Sequence, residues 1–322
     1  MKIFLSLLFL LTLIYGNNKQ LKVGVLAYGT VNWELMIIKS RGLDTKYGFD
    51  LEIKELASKN GVAVAFQADS VDVIVNDWVW VNRQNFPKPS LFFYPYSKVS
   101  GGIYTNNPRY RTLNDLKGKK LGVAGGPMDK SWLFLKAYAA QKLGIDLQDS
   151  TEIVFAAPPI LNAKLQDGSL DAVLNYWHYN ARLQDQGMTP VLSVPEILGS
   201  LGISNQEVPL IGWVFKRSYA VENKNVINRF LKASQEANTI LKQDDKAWDY
   251  LRPSMHVNDD ATFEALKKGY RAGIPKKFTQ DEMKEIEKIY TLLEKTGGKE
   301  LVGNATRLDR TMFWPYDYDA SR

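Results

Sequence analysis

Between residues 21 and 76 the apolar positions follow two alternating rhythms. Three short runs, LKVGVLA (21–27), FDLEIKEL (49–56) and VDVIVN (71–76), are β-branched and bounded by turn formers, and predict strands. The segments between them, WELMIIKSRGL (33–43) and VAVAFQAD (62–69), carry apolar residues at helical spacing. The same order returns in KKLGVA (119–124), TEIVFA (151–156) and LDAVLNY (170–176), with a helix predicted from Pro127 to Leu143. Strand–helix alternation of this kind gives a mostly parallel sheet flanked by crossover helices. From about Asn223 the rhythm is helical alone, in NVINRFLKASQEANTILKQ, DDATFEALKKGYRAG and TQDEMKEIEKIYTLLEKTGG. The last of these predicts a Thr279 cap with Glu282 three residues on, and a stop at Gly297.

The two αβ stretches are copies of one another. Trp33 and Trp132, Ser70 and Ser169, Asp72 and Asp171, Asn76 and Asn175, and Trp78 and Trp177 all share an offset of 99. Lys22, Gly24 and Val25 match Lys120, Gly122 and Val123 at 98, which places one inserted residue in the first turn. A period this long is not that of a solenoid; it predicts two α/β lobes. SGGIYTNNPRY (100–110) and VPLIGWVFKRSYA (208–220) read as extended crossings between them. Two crossings make the first lobe discontinuous, with residues 17–103 and 216–322 in lobe 1 and 104–215 in lobe 2.

In open α/β sheets ligands bind beyond the carboxyl ends of the strands. That rule selects Tyr28, Gly29, Thr30 and Asn32 with Asn76, Asp77 and Trp78 as one wall, and Gly125, Gly126, Asp129, Lys130 and Ser131 with Asn175, Tyr176 and Trp177 as the other. The repeat makes these walls face each other across an aromatic cleft with a few polar handles, the usual make-up of a small-molecule site. Trp33 and Trp132, at equivalent helix starts, read as packing residues. Trp78 and Trp177 follow strand ends and read as cleft residues. Asn76 and Asn175 either cap the following helices or face the mouth. Trp213 reads as the floor of the cleft or as a buried hinge residue.

GVAGGPMDKSW (122–132) has the outline of a phosphate loop but not its substance. A Walker loop needs Gly directly before its Lys, where Asp129 stands, and the first-Gly position holds Ala124. What remains is a helix start with Gly126 as cap and Pro127 in the first position, its free amides at Met128, Asp129 and Lys130 able to hold an acceptor group. Asp129 could equally cap those amides itself. Asp77 reads as an acceptor for a ligand N–H, with general base as the alternative.

Composition narrows the function. Residues 1–16 have one cation, Lys2, followed by an apolar run too short to span a bilayer, and predict a secretory signal. No cysteine follows, so a lipid anchor, disulfides and thiol catalysis are all excluded. The formal charge of +6 falls to +5 when Lys2 leaves, a surplus that reads as solvated surface and not as a nucleic-acid footprint. Catalysis has little support. There are two histidines, His178 and His256, and no H-E-x-x-H, G-x-S-x-G or S-x-x-K motif, and DYDA near the C-terminus is too sparse for a metal.

Taken together, KVGVLAYG, GFDLEIKEL, NDLKGKKLGVAGGP, DGSLDAVLNYWHYNARL and NVINRFLKASQEA resemble the periplasmic solute-binding proteins of ABC importers, of the nitrate, sulfonate and taurine type that also includes binders of thiamine-pyrimidine precursors. The resemblance implies a two-lobed, hinged α/β fold of type II, monomeric and without cofactor or catalysis. It implies a small-molecule ligand, aromatic, heterocyclic or sulfonate-like, and permease and ATPase subunits as partners in the periplasm. It places the cleft loops on Tyr28 to Asn32, Asn76 to Trp78, Gly125 to Ser131 and Asn175 to Trp177. Related pyrimidine synthases use a cysteine-rich motif that is absent here. Sulfonate binders of this type often present small hydroxyl residues at the second-lobe turn, where this chain has Pro127, Met128 and Asp129. An acid there repels a small dianion and favours a flat or heterocyclic ligand with N–H donors. The alternatives are a sensor domain tethered by an uncleaved signal and a secreted enzyme of this fold.

Overall fold

A computed structural model of the chain describes residues 19–203 and 207–316. The predicted signal segment and the DYDA run lie outside these residues. By compactness the described chain forms two units, one running to Ile74 and including Phe215–Gln243, the other comprising Val75–Val214 and the residues from Asp244 on.

Among the described residues ten strands form two sheets of five. Strands β1 (Lys19–Leu26), β2 (Phe49–Leu56), β3 (Val73–Asp77), β4 (Leu91–Ser97) and β10 (Ile211–Lys216) make the first, in the order β2-β1-β3-β10-β4. Strands β5 (Gly102–Thr105), β6 (Lys120–Ala124), β7 (Glu152–Ala156), β8 (Ala172–Asn175) and β9 (Thr189–Ser193) make the second, in the order β7-β6-β8-β5-β9. The pairs β1–β2, β1–β3, β6–β7 and β6–β8 are parallel. β5 runs antiparallel to both its neighbours, so the second sheet is mixed. The run expected as the first crossing therefore supplies a strand of its own.

The sequence repeat is a structural repeat. Asp72 takes the amide of Lys22 on its carboxylate at 2.8 Å, and Asp171 takes that of Lys120 at 2.9 Å. The backbone N–H of each acid donates to the carbonyl of the same lysine. Register agrees too, Gly24 lying opposite Ile74 and Gly122 opposite Val173. Both glycines are there for close approach. A Cβ on Gly24 would meet Val71 at 3.0 Å, and one on Gly122 would meet Leu170, the repeat partner of Val71, at 2.6 Å.

Helices cover the sheets. In the first unit α1 (Val31–Ser40), α2 (Leu43–Tyr47) and α3 (Lys59–Gln67) follow the strands, and α10 (Arg217–Glu222) leads into α11 (Lys224–Gln243). The apolar face of α11, with Ile227, Phe230 and Leu231 buried, packs on α1 and α2. The second unit holds α4 (Trp78–Gln84), α5 (Lys130–Tyr138), α6 (Leu147–Ser150), α7 (Pro158–Gln166), α8 (Trp177–Asp185), α9 (Val194–Ser200), α12 (Asp245–Leu251), α13 (Asp260–Gly273) and α14 (Gln280–Val302). Helix α13 packs on α8, and α14 on α4 and α5. The predicted Thr279–Glu282 capping box is formed. The predicted stop at Gly297 is met: Gly298 (φ 56°, ψ −157°) breaks the helical geometry, and the turns that follow to Val302 lie beyond that break. Among the described residues no helix is long and apolar enough to cross a membrane.

Candidate functional site

The carboxyl end of β3 and the start of α5 meet in the second unit. Asp77, the last residue of β3, caps α4 by accepting the Trp80 amide at 2.8 Å, and its other carboxylate oxygen takes the Lys130 ammonium at 2.8 Å. Both side chains are largely buried, which shields this pair from the screening that weakens surface pairs. Asn76, half-buried, uses its carbonyl oxygen to hold the Asp77 amide at 2.9 Å.

Helix α5 starts later than the sequence pattern predicts. Gly125 (φ 81°) and Gly126 (φ 87°) both take the left-handed conformation, and they turn the chain so that Asp129, not Gly126, is the cap. The Asp129 amide donates to the Gly126 carbonyl, and its side chain accepts the Ser131 amide at 2.9 Å. Of the amides expected to stand open, that of Asp129 is taken within the turn, and the Asp129 carboxylate serves the Ser131 amide. The hydroxyl of Tyr176 donates to the second oxygen of Asp129 at 3.3 Å.

This turn requires Gly125. A Cβ there would stand 2.4 Å from Asp129 Oδ2 and 2.7 Å from the Tyr176 hydroxyl. Gly125→Ala is expected to lose about 1–2 kcal/mol of stability from the left-handed backbone alone, and more from the clash. Gly126→Ala, with nothing near its Cβ position, loses only the backbone part. Urea midpoints of the two variants check the difference.

In the first unit Tyr28 is exposed, and Gly29 closes a turn onto the Leu26 carbonyl. Thr30 precedes α1 without a side-chain cap. Asn32 is buried, its amide nitrogen donating to the carbonyls of Leu26 at 3.1 Å and Ala27 at 3.2 Å. Its carbonyl oxygen is shut off from solvent and has no hydrogen-bond partner among the described residues. Two residues on, Glu34 is wholly buried in the first turn of α1, a feature not anticipated from the sequence.

The tryptophans divide differently from expectation. Trp33 and Trp132 are buried as predicted, each the third residue of its helix. Trp78, expected at the cleft, lies entirely in the interior, its indole N–H donating to the Pro209 carbonyl at 3.1 Å. Trp213 is also fully buried, edge-to-face with Tyr96, so of its two readings the buried one holds. Trp177 is half-buried and lies on Gly269 of α13. Asn175 neither caps α8 nor faces outward. Its amide nitrogen donates to the Pro158 carbonyl and to Asn162 Oδ1, and its oxygen accepts the Tyr176 amide. Asn162, its partner on α7, has no repeat-related signal that would have marked it.

His178, beside Trp177, is half-buried as a residue, yet both ring nitrogens are closed to solvent and without a hydrogen-bond partner among the described residues. Burial, with the Arg182 guanidinium second, pushes its pKa down to about 3. It is a neutral imidazole at physiological pH. Among the described residues no three acidic or histidine side chains gather in the manner of a metal site.

No family model matches the sequence, and no curated protein is similar to it by sequence. Similarity of fold is extensive. The alkanesulfonate-binding protein SsuA of Xanthomonas axonopodis pv. citri, bound to MOPS, superposes with a TM-score of 0.70 at 15% identity, covering 93% of this chain and 99% of that one. The periplasmic aliphatic sulphonate-binding protein SsuA of Escherichia coli gives 0.72 at 16%, covering 94% and 93%. The desulfurization enzyme DSZB gives 0.59 at 15%, covering 87% and 92%. The α/β architecture that the sequence motifs imply, that of the periplasmic sulfonate-binding proteins, is the one this chain adopts.

Proposed function

We propose that the chain is the extracytoplasmic solute-binding component of an ABC importer, capturing a small organic solute at the carboxyl ends of its strands and delivering it to a membrane permease driven by an ATPase. The observation that carries this reading is the Asp77–Lys130 pair, which joins the end of a strand in one sheet to the first helix after a strand in the other. Polar groups from two repeat copies thereby come together where α/β sheets hold ligands. The likeness in fold to sulfonate-binding proteins supports the same reading. On it, Asn76, Asp77, Gly125, Gly126, Asp129, Lys130, Ser131, Tyr176 and Trp177 line or shape the site, Trp78, Asn175 and Trp213 support it from the interior, and Tyr28, Gly29, Thr30 and Asn32 form the equivalent strand-end turn of the first unit. Lobe 1 comprises residues 17–103 and 216–322, and lobe 2 residues 104–215. Export to the periplasm by residues 1–16 completes the proposal.

Binding without chemistry has a direct test. A library of small metabolites, screened by thermal denaturation, is expected to contain solutes that raise Tm by the amount RT ln(1 + [L]/Kd) dictates, each recovered unchanged by mass spectrometry. Conversion of the stabilising solute into a product would establish an enzyme of this fold instead. Such an enzyme would have to work without a thiol, since the chain has no cysteine.

A further inference from the structure

The outermost strand of a sheet turns a row of backbone N–H and C=O groups outward, which makes it a template for another strand. β2 and β7 hold equivalent places of this kind. Each is outermost in its sheet and pairs in parallel with the first strand of its repeat copy, and among the described residues no strand lies beyond either. The two ladders are bonded alike. The Glu152 amide donates to the Lys119 carbonyl, and the Leu56 carbonyl accepts the Ala27 amide. A parallel strand turns alternate residues toward its neighbour, so the backbone groups of Ile153 and Phe155 in β7, and of Ile53 and Glu55 in β2, point to the outer side.

Register shows what each copy carries there. Lys54 lies opposite Gly24 and Glu55 opposite Val25, whereas Val154 lies opposite Gly122 and Phe155 opposite Val123. Charged side chains are the common protection of an open edge. β2 has a lysine and a glutamate where β7 has a valine and a phenylalanine. Phe155 is 40% exposed, its ring edge-to-face with the buried Trp132.

The edge of β7 is complementary to itself. In an antiparallel pair with a two-fold axis at Val154, Ile153 of each copy faces Phe155 of the other and exchanges both backbone bonds with it. Apolar side chains then meet across the axis, and Glu152 falls opposite Ala156, so no like charges are opposed. The same arrangement at β2 would bring Lys54 against Lys54, a pair that repels. We propose that β7 is a dimerisation edge, through which two copies of this chain join their second sheets into one continuous sheet. The dimer departs from the monomer that the family resemblance implies.

Sedimentation velocity of the protein without residues 1–16 is expected to show a concentration-dependent dimer. Phe155→Glu gives β7 the residue that β2 has, and is expected to raise the dissociation constant at least about tenfold, because a two-fold interface contains each substitution twice. The chain has no cysteine, so Val154→Cys supplies a second readout. Residue 154 meets its own copy at a non-hydrogen-bonded position, where Cα atoms stand about 4.5 Å apart and a disulfide can close. Mild oxidation is expected to cross-link Val154→Cys into dimers and to leave Lys54→Cys monomeric. Should Phe155→Glu fail to fold, the cross-link decides alone. A wild type that stays monomeric up to about 1 mM overturns the proposal. So does a dimer that Phe155→Glu leaves unchanged, or a Val154→Cys protein that does not cross-link to itself. Cross-linking of Val154→Cys to a different exported protein, with the purified chain monomeric, would assign the edge to that partner and overturn self-pairing.

Discussion

Trp78→Ala is expected to lower the unfolding free energy by about 3–5 kcal/mol, the range for removing a large aromatic side chain from a packed interior. The ring is wholly enclosed, and its loss also strands the Pro209 carbonyl that accepts the indole N–H. Trp78→Phe restores most of the volume but not the hydrogen bond, and is expected to lose about 1–3 kcal/mol. Chemical denaturation of the three proteins orders them wild type, Phe, Ala. A Trp78→Ala protein of undiminished stability that had lost its response to a bound solute would return this residue to the site, where the sequence pattern had put it.

The repeat carried most of the architecture because it is written in residues whose roles are local. Asp72 and Asp171 bond the lysine amide of a neighbouring strand, and Trp33 and Trp132 sit at the same turn of equivalent helices. Asp69 and Gly168, again 99 apart, both take a left-handed conformation ahead of the third strand of their copy. Such features depend on neighbours within one βα unit, so a spacing is enough to find them. Features that depend on distant partners were not legible. Trp78 and Trp177 open equivalent helices, but one meets the Pro209 carbonyl and the other lies on Gly269, and neither partner belongs to the repeated strand–helix stretches. Lys130 and Asp77 were each recognisable as lying at a helix start or a strand end, yet nothing in their order along the chain announces that they pair. The helix start at Asp129 was misplaced for a different reason. A Gly-Gly-Pro run satisfies the cap pattern at Pro127, and only the left-handed geometry of both glycines shows that the turn continues for three residues more.

Acidification should destabilise the protein through His178 before its carboxylates respond. In the folded chain the imidazole pKa lies near 3, against about 6.5 in the unfolded chain. Between those values the unfolded state binds the extra proton, so stability contributed by the neutral ring is complete above pH 6.5 and is lost progressively as pH falls toward 3. The slope approaches about 1.4 kcal/mol per pH unit for one proton. The groups facing the ring reinforce the direction. Tyr176, Trp177 and Tyr179 are aromatic neighbours with no negative charge to offer, and Arg182, whose guanidinium donates to the His178 and Met255 carbonyls, opposes a second cation. Carboxylates held below their ordinary range, such as Asp115 by the amides of Arg111 and Thr112 and Glu196 by Ser193, add their own loss only at lower pH. Wild type is therefore expected to lose Tm steadily from pH 7 to pH 5, and His178→Phe, which keeps an aromatic ring and removes the titration, to lose distinctly less. Equal slopes for the two proteins over that interval, or an NMR signal titrating near pH 6.5 in the folded state and assigned to the His178 imidazole by its absence from His178→Phe, would show that the ring is not sealed as described.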